Sequence, residues 1–132
     1  MSSRILLIID PQADTHPCIE HWAGFVARTG GELELYTCDA QPGVPEPWST
    51  ALNSHEYHGL LRERRQQMLE ELARPLRARG LQVSTCSEWH APLEEGVLRH
   101  LLESRPDLVI YDGATIRIAQ ALASAPAPAR EL

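Results

Sequence analysis

Two carboxylates stand where apolar runs end: Asp10 closes Ile5-Leu6-Leu7-Ile8-Ile9, and Asp112 closes Leu108-Val109-Ile110-Tyr111. Pro11 and Gln12 follow the first and Gly113 the second, so both sit where a strand gives way to a turn. Two such carboxylates can line a crevice or share acid-base work. Neither has a histidine or nucleophile beside it in sequence, which favours a polar crevice over a catalytic pair. Asp10 is then either a ligand contact or a turn cap of the kind Asp commonly makes. Thr37 and Asp39, ending another patterned run, are the natural companions of Asp10. A triphosphate fits poorly beside Asp10 and Asp112, because like charges repel and Arg117 is the one nearby cation.

Other constellations are weaker. His55, Glu56 and His58 give a His-x2-His spacing, whereas helical metal pairs prefer a separation of four; a solvent-facing helix start is the better reading. His16, His21, His90 and His100 are scattered and receive no role. Cys18, Cys38 and Cys86 are odd in number and far apart, with no Cys-x2-Cys pair, so neither a metal site nor a disulfide framework is expected. Cys18 lies at a helix start, where a thiol can be activated, yet an inert thiol is the simpler reading. Arg62-Glu63-Arg64-Arg65, followed by Glu70 and Glu71, reads as a solvated face of alternating charge. All twelve basic residues are arginine, which removes the lysine that a Walker A loop or a Schiff-base enzyme requires.

The elements holding these residues fit one domain of 132 residues. A net charge of −6 opposes binding to nucleic acid or an anionic membrane. The Ile5–Ile9 run is too short for a membrane span or a signal-peptide core, so a reducing, cytoplasmic setting is expected.

Arg4 to Asp10 is apolar on both faces, as in a central parallel strand. Pro17 opens a helix through Ile19, Trp22, Ala23 and Val26 that stops at Gly30-Gly31. Glu32 to Asp39 alternates Leu33, Leu35 and Thr37 against Glu32, Glu34 and Tyr36, a strand with one partly wet face. After a loop from Ala40 to Ser49 anchored by Trp48, a long helix runs from about Ala51 to Arg79, with Pro75 expected to kink or shorten it. Leu81 to Trp89 alternates in the manner of an edge strand. Pro92 opens a helix that ends at Arg105-Pro106, and Asp107 to Asp112 is a fourth strand. Strands alternating with helices predict a doubly wound parallel α/β sheet. Residues 1–113 form this domain, and 114–132 a short helix over Ile116 to Leu122 with a flexible Ala/Pro-rich tail.

The Asp-Pro ending strand one, the double glycine before strand two, Ser87-Glu88-Trp89-His90-Ala91-Pro92-Leu93-Glu94-Glu95, and Ser104-Arg105-Pro106-Asp107-Leu108-Val109-Ile110 together resemble the universal stress protein family. The likeness is to a domain of its tandem E-type branch and covers roughly residues 4 to 113. It implies strand order 3-2-1-4, normally extended by a fifth strand. It also implies that Asp10 occupies the position contacting adenine or ribose. The family's nucleotide-binding members carry a glycine-rich signature after strand four, whereas Gly113 is the last glycine here. The expectation is therefore a non-catalytic stress-response or signalling module with no cofactor, the alternative being an adenine-nucleotide binder (ATP or AMP) using Asp10, Thr37 and Asp39. Without a fifth strand, Leu108, Val109, Ile110 and Tyr111 would face a second copy or a related domain.

Overall fold

The computed structural model describes residues 3–40 and 53–111. The expected features at 114–132, together with Asp112, Gly113 and Trp48, lie outside the described residues. The elements are β1 (Arg4–Ile8), α1 (Pro17–Thr29), β2 (Glu32–Asp39), α2 (Ser54–Ala78), β3 (Gln82–Trp89), α3 (Leu93–Ser104) and β4 (Leu108–Tyr111). The strands form one parallel sheet in the order β3-β2-β1-β4.

Each face of the sheet has its own apolar layer. Ile5 and Leu7 of β1, Ile9 just after it, and Leu33 and Leu35 of β2 pack against Ile19, Ala23 and Val26 of α1 and Leu69, Ala73 and Leu76 of α2. On the opposite face Leu6, Ile8 and Tyr36 pack against Val97 and Leu101 of α3. This explains why β1 is apolar at every position from Ile5 to Ile8. A strand covered on both sides has no position that can stay polar cheaply.

The two glycines after α1 serve different ends. Gly30 takes a left-handed conformation (φ 76°), and its N–H closes the helix onto the Val26 carbonyl. Gly31 lies so near the incoming chain that a β-carbon would stand 2.3 Å from the Ser3 carbonyl oxygen. That close approach is where Glu32 N–H donates to the same carbonyl, joining β2 to the segment before β1.

Two sequence expectations are refined. Pro75 does not end α2, since the helix continues to Ala78. Its missing N–H costs the ladder one bond, at the Glu71 carbonyl, and only three residues of helix follow it. The Glu32, Glu34 and Tyr36 face of β2 is wet only toward its start: Glu32 is exposed, whereas Tyr36 is fully buried, because α3 crosses it.

The β3 edge is occupied by side chains of α2. Gln66 Oε1 accepts from Ser87 N–H at 3.0 Å, Arg77 Nε donates to the Val83 carbonyl at 3.0 Å, and Ser87 Oγ donates to the Arg62 carbonyl at 2.7 Å. The first two use β3 backbone groups that would otherwise be open to another strand. At the other edge, among the described residues, β4 pairs with β1 alone. No helix among the described residues is long and apolar enough to cross a membrane.

Candidate functional site

In an open parallel sheet the carboxyl ends of the strands form the crevice. The β1–β2 register pairs Ile8 with Tyr36, and Ile9 N–H donates to the Tyr36 carbonyl, so Asp10 emerges beside the end of β2. Asp10 Oδ1 accepts from Gln12 N–H at 2.9 Å, and its carbonyl accepts from Ala13 N–H. Asp10 therefore caps its own turn, with Pro11 inside it. Thr37 is 1% exposed, and its Oγ1 has no hydrogen-bond partner among the described residues. Asp39 pairs with Arg65 of α2 at 3.3 Å. Burial raises its carboxyl above the usual range, against the opposing pull of Arg65. His58, one of the His-x2-His pair, lies on α2. Its ring stacks on Trp89 at 3.8 Å, anchoring α2 to the end of β3.

The interface residues divide by face. Val109 packs with the α3-side cluster and Ile110 with the α1/α2 side, while Leu108 and Tyr111 remain 40% and 38% exposed.

A second constellation, away from the strand ends, joins residues that sequence reading left without a role. Glu34 and Tyr36 of β2 and Cys86 and Glu88 of β3 project from one face, because Tyr36 pairs with Cys86 and the alternation is two-residue. His100 of α3, 8% exposed, descends onto them. Its ring stacks on Tyr36 with centroids 4.2 Å apart and an interplanar angle of 11°. Nε2 lies 2.8 Å from Glu34 Oε2, and Nδ1 lies 3.5 Å from Glu88 Oε1. The Tyr36 hydroxyl donates to Glu88 Oε1 at 2.7 Å, and Arg99 approaches the other Glu88 oxygen at 3.8 Å.

The electrostatics of this layer follow from burial and negative charge together. Burial pushes the Cys86 thiol up to about 11, reinforced by Glu88, Glu34 and Cys38, and Cys38 is pushed up to about 11 chiefly by burial. Tyr36 is raised far above the ordinary phenol value, first by burial and then by Cys38 and Glu88. Burial works against a charged His100, but the hydrogen bond it makes to Glu34 and the charges of Glu34, Glu88 and Glu103 outweigh it and raise its pKa. His100 thus sits between two carboxylates that favour its protonated form. The available sequence signal was the run of polar residues at alternate positions of both β2 and β3, which marks a shared polar face but not its cover.

The chain matches no protein-family model and no curated protein sequence. Solved structures do match it. A protein from the universal stress protein family of Burkholderia pseudomallei aligns over 94% of this chain and 92% of its own, with a TM-score of 0.69 and 14% identity. A universal stress protein from Archaeoglobus fulgidus aligns over 98% of this chain and 38% of its own, with a TM-score of 0.55 and 18% identity. A functionally unknown protein from Pseudomonas aeruginosa aligns over 81% of this chain, with a TM-score of 0.53 and 20% identity; the chain spans 31% of that protein's length. At these identities the likeness concerns the fold: a parallel α/β sheet in the order 3-2-1-4, of universal stress type.

Proposed function

From this shared fold, we propose that the chain is a universal-stress-type domain acting without catalysis, as a cytoplasmic stress-response or signalling module that associates with a second copy or a related domain. The observation that carries the reading is the contrast between the sheet edges. The β3 edge is met by α2 side chains, whereas β4 presents Leu108 and Tyr111, both more than a third exposed. A parallel edge with apolar side chains is a ready partner for another chain. Light scattering should give a mass near twice 14.7 kDa. Leu108→Lys should return the protein to the monomer without unfolding it, since Leu108 lies outside both buried clusters. A wild-type monomer at high concentration would overturn the reading.

One observation favours adenine-nucleotide binding as a second reading: the buried, unpartnered Thr37 Oγ1 at the crevice. Phosphate recognition on such folds relies on exposed amides at a helix start, and Asp10 already spends an oxygen on its own turn. Calorimetry with ATP and AMP should therefore show binding no tighter than about millimolar, a free energy of about −4 kcal/mol. Micromolar affinity lost in Thr37→Val would establish the second reading instead.

A further inference from the structure

We propose that Glu34, Cys86 and His100 form a binding site for a divalent transition-metal ion of the zinc class, with Glu88 holding the imidazole from behind. The proposal is independent of any association at β4 and of nucleotide at the crevice.

Three donors of different chemistry converge from three elements. A carboxylate oxygen of Glu34, the Cys86 sulfur and a ring nitrogen of His100 all lie within 4.8 Å of one another. Tetrahedral zinc, with bonds of about 2.0–2.3 Å, holds its ligands about 3.3–3.8 Å apart. Side-chain rotation covers the difference; on binding, Cys86 Sγ and His100 Nε2 release their protons to solvent, and the Glu34–His100 hydrogen bond is exchanged for two bonds to the ion. The S, N and O donor set also selects the metal. Thiolate and imidazole suit zinc or cobalt, whereas calcium and magnesium take oxygen ligands.

A separate observation concerns the far side of the ring. Metal-ligating histidines almost always turn their other nitrogen to a carboxylate or carbonyl, which fixes ring orientation. With Nε2 directed at Glu34, Nδ1 faces Glu88 Oε1 at 3.5 Å. Glu88 is itself held by the Tyr36 hydroxyl, and the ring lies flat on Tyr36. The charge balance points the same way. Two carboxylates with side-chain exposures of 12% and 22% share one imidazole, an excess of negative charge that a dication offsets. Three protein donors leave a fourth position for water or a small exogenous ligand.

The test is a cobalt titration of the full chain, chelator-treated and reduced. A single equivalent should bind, with a thiolate-to-cobalt charge-transfer band that zinc displaces. Cys86→Ser should abolish the band, while Cys18→Ser and Cys38→Ser keep it. Glu88→Gln should keep the band and weaken affinity about 10–100-fold, as loss of an outer carboxylate does. That combination distinguishes a positioning residue from a ligand. Should Cys86→Ser fail to fold by circular dichroism, the wild type still decides the matter, because zinc should slow alkylation of Cys86 and leave Cys18 unchanged. No charge-transfer band in the wild type, or a band that survives Cys86→Ser, would overturn the proposal.

Discussion

His100→Leu should lower stability by about 3 kcal/mol at neutral pH in chelator-treated protein, the lower end of the range for breaking a buried ion pair by removing one partner. The substitution leaves Glu34 and Glu88 under α3 with the intervening imidazole gone, so that Glu34 loses a partner at 2.8 Å and Glu88 one at 3.5 Å. Glu88 keeps the Tyr36 hydroxyl and the more distant Arg99, which is why the upper end of the range is not expected. Adding Glu34→Leu to the same chain should recover a large part of the loss, because an apolar pair of similar volume carries no desolvation penalty. Tyr36 and Leu101 already supply apolar surroundings for it. Urea denaturation of the three proteins measures both effects. A single-variant loss below about 1 kcal/mol, the ordinary worth of a hydrogen bond, would mean that the cluster is not held by charge.

Leu7→Ala should cost about 3–4 kcal/mol, because it removes buried methyl groups and leaves a cavity that the surroundings only partly refill. Leu7 is fully buried in β1, between Leu35 on one neighbouring strand and Ile110 on the other. Few sites have less room to collapse, since strands flank it on both sides and α1 and α2 cover it. Leu60→Ala, on the exposed side of α2 at 44% exposure, should stay within about 0.5 kcal/mol of wild type. Equal losses at the two positions would show that the sheet is loosely packed and that burial in β1 does not dominate stability.

Much of the fold was legible because its signals are local. The Ile5–Ile9 run announces a strand covered on both faces; Pro17 and Gly30 bracket α1 through their own backbone preferences; and alternation in Gln82–Trp89 marks an edge strand. The turn-capping reading of Asp10 was available from Asp-Pro-Gln alone, and its hydrogen bond spans only two residues. Local preference was a poorer guide at Pro75, whose cost depends on how near the helix end it falls, and at His58, whose partner Trp89 lies on another element.

By itself the sequence determined the order of elements, the parallel α/β class, the apolar face of α1 and the turn at Asp10, since all of these rest on residues a few positions apart. Tertiary structure alone decided what lies over the polar face of β2 and β3. Glu34, Cys86 and His100 belong to three separate elements, and two parallel crossovers are needed to superpose them. Nothing in the spacing of Glu34 or Tyr36 states whether their face meets water or a helix. Only the landing of α3 across the sheet covers Tyr36 and brings His100 between two carboxylates.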